Sequence, residues 1–228
     1  MQSLSLNAPH DRLLVDCSGA LVWPDQNLLV VADLHLEKGS SFARRGSAIP
    51  PYDSRAAIER LTEVLRRWSP ARVISLGDSF HDPDGSNRLS TADRRSIKDL
   101  TSRHDWIWIS GNHDPAPPSD LGGTSADEIT IGKITFRHLP SSRSERIEIA
   151  GHLHPKASVR ARGRKVSRPC FVCDRRRVLL PAFGCYAGGL NVLDPAVATL
   201  FPDDYRAYLL GKDRIHMVAK HQIEHAAH

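Results

Sequence analysis

Apolar and polar residues fall in blocks along this chain, and the period of each block predicts its element. The runs Leu28-Leu29-Val30-Val31, Val73-Ile74-Ser75-Leu76, Trp106-Ile107-Trp108-Ile109 and Ile147-Glu148-Ile149 are short and bounded, and they read as buried strands. Ala57, Ile58, Leu61, Val64, Leu65 and Trp68 recur at helical spacing, which predicts a helix over 52–68 with Asp53 or Ser54 as its cap and Pro70 as its stop. Ala92, Ile97 and Leu100 mark a thinner stripe and a second helix over 90–104. Beyond residue 110 strand patterns dominate. Cys170-Phe171-Val172-Cys173 and Val178-Leu179-Leu180 read as the arms of a hairpin whose turn spans Asp174, Arg175, Arg176 and Arg177. Residues 196–201 and 205–210 read as late strands that complete the core or pair with a second subunit in a homodimer. Loops are expected at 82–87 and 115–123, rich in Gly, Pro, Asp and Asn. With no repeat and no linker, the 228 residues are expected to form one α/β domain over 1–228.

Chemistry-bearing residues sit just past these strands. Asp33 and His35 follow the first, Gly77-Asp78 the second, Gly111-Asn112-His113-Asp114 the third, and His152 and His154 the fourth, with His138 between. Residues two apart near a strand end point the same way, so Asp33 with His35, and His152 with His154, can each reach one ion. Strand ends are the usual place for ligands in an α/β sheet. The mixture of carboxylate, imidazole and one amide oxygen suits manganese, iron(II) or zinc. The number of ligands implies two divalent ions. One is expected on Asp33, His35, Asp78 and His154, the other on Asp78, Asn112, His138 and His152, with Asp78 bridging. Two ions about 3.5–4 Å apart can activate a shared water and clamp the attacking and leaving oxygens at phosphorus. His113 is then free to stabilise or protonate the leaving oxygen, with Asp114 to orient it. His138 rests on a single histidine and is also open to reading as a plain loop residue.

In this order, Asp-x-His, Gly-Asp, Gly-Asn-His-Asp, His and Gly-His-x-His resemble the signature of the calcineurin-like metallophosphoesterases over residues 33 to 154. Ala32-Asp33-Leu34-His35-Leu36-Glu37-Lys38-Gly39, Pro50-Pro51-Tyr52-Asp53, Leu180-Pro181-Ala182-Phe183-Gly184 and Gly188-Gly189-Leu190-Asn191 extend the likeness to the bacterial ligase-associated group. That resemblance implies a four-layer αββα sandwich, two mixed β-sheets flanked by helices, with two manganese ions. It also implies phosphodiesterase activity and a role with a DNA ligase and a helicase in DNA repair. The chain departs from the wider superfamily at Gly77-Asp78-Ser79-Phe80-His81-Asp82, where many members have Gly-Asp-x-x-Asp-Arg. The missing arginine argues against a protein phosphatase. His81 either contacts a phosphate or leaving group, or is a loop histidine held by Asp82 or Asp84.

Composition changes this picture in three places. The net charge is +5 with a pI near 9.2, concentrated in Arg160, Arg162, Arg164, Lys165, Arg168, Arg175, Arg176 and Arg177. Such a segment attracts a phosphate backbone, DNA above all, and Arg175, Arg176 and Arg177 are candidate substrate contacts; a solvated hairpin face is the other reading. Four cysteines form no disulfide pattern, and Cys170 and Cys173, three apart in a strand, should face opposite sides rather than share a zinc ion. No run is long enough to span a bilayer, and Asn7, His10, Asp11 and Arg12 give no basic-then-apolar leader, so a cytoplasmic enzyme is expected. The tail over 216–228, with His216, His221, His225 and His228, is expected to fray; only as a helix would it align His221 with His225.

Overall fold

The computed structural model describes residues 3–6, 12–47, 49–50, 52–116, 118–142 and 146–225. Asn7, His10, Asp11, Pro51 and His228 therefore lie outside the described residues.

Short strands β1 (Ser3–Ser5), β2 (Leu14–Asp16) and β3 (Leu21–Trp23) lead antiparallel into β4 (Leu28–Ala32). Then come α1 (Lys38–Arg44), α2 (Asp53–Trp68), β5 (Arg72–Leu76), the one-turn α3 (Gly85–Arg88), α4 (Thr91–Arg103), β6 (Asp105–Ile109) and β7 (Thr124–Ala126). These strands form the first sheet in sequence order, with β4 to β7 parallel. The second half builds β8 (Glu128–Ile131), β9 (Ile134–Arg137), β10 (Ile147–Ala150), β11 (Lys156–Ala161), β12 (Arg164–Cys173), β13 (Arg177–Leu179), the one-turn α5 (Pro195–Ala198), β14 (Arg206–Leu210) and β15 (Ile215–Ala219). They make a second mixed sheet, ordered β15-β14-β12-β13-β10-β9-β8, with β11 paired to β12.

Apolar faces decide the layering. Leu61, Val64 and Leu65 of α2 and Ile97 and Leu100 of α4 cover one face of the first sheet, meeting Val31, Val73, Trp106 and Trp108. On the other face Val30, Ile74 and Ile109 meet Phe136, Ile149 and Phe171 of the second sheet, the central layer of a sandwich. The outer face of the second sheet is closed by Val197, Phe201 and Tyr205. Two mixed sheets with flanking helices are the architecture the resemblance implied.

The hairpin of β12 and β13 forms, with Val172 opposite Leu179. Cys170 and Cys173 pack into the outer and the central layers respectively, on opposite faces as their spacing predicts. Other expectations are corrected. Residues 196–201 do not form a strand: Asp194 caps α5 by accepting from the Ala196 amide at 2.9 Å, and Pro195 suits a helix start. The tail is not frayed through its described part, because β15 pairs with β14 and the Glu224 amide donates to the Ser158 carbonyl at 2.8 Å. His221 lies in a 3-10 turn that ends at Gln222, so it does not align with His225. The 82–87 loop is partly α3. Asp53 and Ser54 do not cap α2; Asp53 accepts from the Gly39 amide at 3.0 Å and the Ser54 hydroxyl donates to Glu37 at 2.8 Å, clasping the starts of α1 and α2.

Candidate metal centre

Parallel pairing puts the ends of three strands at one level, because Ala32 is in register with Leu76 and Leu76 with Ile109. Asp33, Asp78 and Asn112 follow within three residues of those ends. Across the sandwich Arg137 is in register with Ala150, so His138 and Gly151 leave the second sheet together, and the Gly151 amide donates to the His138 carbonyl. The two sheets thus aim all seven predicted ligands at one place.

How they point differs from the strand argument. Asp33, His35, Asp78, His152 and His154 all have positive φ, between 44° and 71°. They lie in left-handed loop positions beyond the strands, so loop geometry rather than alternation brings each pair together. Such conformations are disfavoured for residues with a Cβ and collect at functional sites. Two glycines are required by contact. A Cβ on Gly77, itself at φ +67°, would lie 2.5 Å from the His138 ring, and one on Gly111 would lie 2.1 Å from the Asp78 amide nitrogen.

Two groups of donors result, Asp33 with His35 and His154, and Asp78 with His138 and His152. In the first, the Nε2 atoms of His35 and His154 are 3.1 Å apart, and Asp33 Oδ1 is buried without a hydrogen-bond partner, 3.4 Å from His154 Nε2. Burial and then the charge of His154 lower the pKa of His35 to about 3, which keeps its ring neutral as a metal ligand must be. In the second, His138 Nδ1 donates to the Leu76 carbonyl at 2.9 Å, which turns Nε2 inward. That atom faces Asn112 Oδ1 at 2.9 Å, His152 Nδ1 at 3.2 Å and Asp78 Oδ2 at 3.4 Å. Burial opposes charge on His138, but Asp78 and Asp33 outweigh it and raise its pKa. Asp78 in turn is held down to about 2, since His138 and the His113 amide overcome the effect of burial. Both groups are concentrations of lone pairs around a point that favours positive charge, and a divalent cation fits each. Asp78 Oδ2 also lies 3.9 Å from His35 Nε2, between the groups.

His113 is half-exposed beside these groups. Its Nδ1 donates to the His81 carbonyl at 2.8 Å, leaving Nε2 turned toward Asp78 Oδ2 at 3.9 Å. Asp114 does not orient that ring; it is buried and accepts from the Phe80 amide at 3.0 Å, holding the segment after Asp78. Burial raises its pKa to about 7. The His81 ring stacks on His113 at 5.2 Å and stands 5.5 Å from His35, which puts it at the site. Asp82 does not hold it, because that carboxylate is engaged by Arg88. Arg175 and Arg176 are exposed. Arg177 is not a surface contact: it is buried, with Nε 2.6 Å from Glu148 Oε2 and further bonds to the Leu200 and Ser141 carbonyls. Sequence reasoning missed a groove of about 330 Å³ next to Asn112 and His138, lined also by Asp127, Glu128, Arg137 and Leu139. No signal marked it, because its walls are ordinary polar strand-end residues.

Such a sandwich, with carboxylates and imidazoles converging in two groups between its sheets, defines a metal-dependent phosphoesterase. The chain belongs to the calcineurin-like phosphoesterase family, whose profile matches residues 27–197, more than half of its length. Its structure is similar to that of the nuclease MPE of Pseudomonas putida, at 27% identity and a TM-score of 0.73 over 94% of this chain and 100% of that one. It also matches Yfce, a phosphoesterase from E. coli, at 16% identity and a TM-score of 0.42 over 84% of this chain and 98% of that one. No match was found among curated protein sequences. Among the described residues, no helix is long and apolar enough to cross a membrane.

Proposed function

We propose that this chain is a phosphodiesterase that cuts DNA, the nuclease of a ligase-associated repair system, with manganese as its metal. The observation that carries the reading is the pairing of two adjacent donor groups with His113 beside them, on a chain alike over 94% of its length to a nuclease. Asp33, His35 and His154 would hold one ion and Asp78, Asn112, His138 and His152 the other, with Asp78 between. When bound, two divalent ions supply Lewis acidity that lowers the pKa of water and offsets charge at phosphorus.

The remaining work falls to the chain. His113 presents Nε2 toward the site because Nδ1 is committed to the His81 carbonyl; protonated at Nε2, it gives that proton to the leaving oxygen. The His81 ring backs His113 and limits where it can turn. Asp114 keeps the Asp78 segment in place from below. A cytoplasmic location is part of this proposal, and the DNA ligase and helicase partners rest on the family resemblance alone.

The test is hydrolysis of bis-p-nitrophenyl phosphate and p-nitrophenyl phosphate by metal-stripped enzyme resupplied with manganese, zinc or magnesium, beside nicked and single-stranded DNA. Manganese-dependent diester cleavage that extends to DNA is the expected result. Diester cleavage with inert DNA would move the substrate to a small nucleotide diester, and no turnover on any diester would leave a nucleic-acid-binding scaffold with structural metals.

A further inference from the structure

One rim of the metal centre carries four residues with no role so far. The clasp between Asp53 and the Gly39 amide brings the neighbours of those residues, Tyr52 and Lys38, to the same rim. Lys38 Nζ lies 5.9 Å from the Phe42 ring, Phe42 lies 5.7 Å from His81, and His81 lies 5.5 Å from His35, which leads from the lysine to the ligands. Lys156 follows His154 by two residues. Burial lowers the pKa of Lys38, Asp53 raises it, and Lys156 lowers it further, so the two ammonium groups feel each other.

A loop closes this rim. Its start is tied where the Gly184 amide donates to the Asp33 carbonyl at 3.0 Å, and its end where the Lys156 amide donates to the Leu190 carbonyl at 2.8 Å. Between them stands Tyr186, at φ +57° and 46% exposed, with its hydroxyl donating to the Pro50 carbonyl at 3.2 Å. Tyr52, two residues past Pro50, is 70% exposed. A left-handed tyrosine costs about 1–2 kcal/mol, and neither ring serves the core, so packing does not account for them. The opposite rim differs in sign. Its groove carries Asp127 and Glu128, and among the described residues that line it the one cation, Arg137, is paired to Glu128 and lies 3.5 Å from Glu148.

We propose that Lys38, Lys156, Tyr52 and Tyr186 form a nucleotide-binding platform, on which a base of an unpaired polynucleotide strand stacks while its phosphates lie against the two ammonium groups. Aromatic faces beside cations are the means by which proteins hold single strands without reading sequence. The inference rests on the DNA phosphodiesterase reading and adds to it the surface that delivers the strand to the ions.

Fluorescence anisotropy of manganese-loaded enzyme with a labelled phosphorothioate oligonucleotide of about 12 nucleotides reads this directly, with a gel of each sample to show that the oligonucleotide is still intact. Tyr186→Asn, which tolerates the left-handed backbone, should weaken binding about tenfold, and Tyr186→Trp should restore it. The double variant Lys38→Glu, Lys156→Glu should also bind weakly and lower the salt slope by about 1.4. Melting temperatures close to the parent's show that the variants are folded. Unchanged binding in all of them, loss only on Arg175→Glu with Arg176→Glu, or no binding by the parent would overturn the platform. Cleavage of ordinary DNA by the parent is scored separately: platform-dependent binding without cleavage sinks the nuclease reading alone, and cleavage with platform-independent binding sinks the platform alone.

Discussion

The two sheets contribute different chemistry to one centre. From the first come both carboxylates and the amide, Asp33, Asp78 and Asn112, with His35; from the second come only imidazoles, His138, His152 and His154. Negative charge that would hold a divalent ion is therefore anchored on the parallel strands, where three ends share one level. The second sheet supplies neutral donors whose aim depends on bracing. His138 is fixed by the Leu76 carbonyl of the first sheet, and the chain after it by Arg177, which joins Glu148 on β10 to the Ser141 carbonyl. One side gives charge and the other gives position.

The largest effect should come from removing charge between the groups. Asp78→Ala is expected to bring activity to background and to lose at least one ion, whereas His152→Ala should keep the ion on Asp33, His35 and His154. Metal content per chain distinguishes them, and equal loss of both ions in both variants would erase the contrast between sheets. Next, His113→Ala should keep both ions and lower turnover by about 10²–10⁴-fold, because it removes a proton donor and no ligand. Loss of metal there would make His113 a ligand.

Bracing of the second sheet is tested by stability. Arg177→Ala removes the nearer of two arginines from buried Glu148, leaving Arg137 at 3.5 Å, and should cost about 3 kcal/mol in urea unfolding, while Arg175→Ala should stay within about 0.5 kcal/mol. A similar, small cost for both would mean that the buried pair does not brace the His138 side. The smallest effect is expected on the first-sheet side, where Arg88 holds the Asp82 carboxylate down to about 2. A depressed carboxylate stabilises the fold above its unfolded value, about 4, and that contribution fades as pH falls through the folded value. Asp82→Asn should therefore lose less melting temperature than the parent between pH 4 and 2, by about that one group's share.

Most of the candidate donors could be picked out in advance because they follow an apolar run that buries itself wherever the chain goes, as Asp33 does past Leu28 to Val31; His138 stood on a single histidine. Their backbone geometry was not legible, since positive φ at five of them belongs to loops beyond the strands and not to any local apolar period. Arg177 and Arg175 look alike in sequence. One is buried only because Glu148, distant in the chain, pairs beside it through β10 and β13. Residues 196–201 carry an apolar run that suits a strand, and a local cap at Asp194 with Pro195 turned its first residues into a helix. The tail found a partner strand that no local pattern announces.

Sequence alone determined which atoms are available: the donor types, their order, and the apolar runs that set the two sheets and the covering helices. These follow from local period and side-chain chemistry, which do not depend on what lies across the core. Tertiary structure decided which donors lie together, which arginine is withdrawn from solvent, and which aromatic rings stay exposed. Those depend on register between strands far apart in the chain, because charge and burial are properties of neighbours in space.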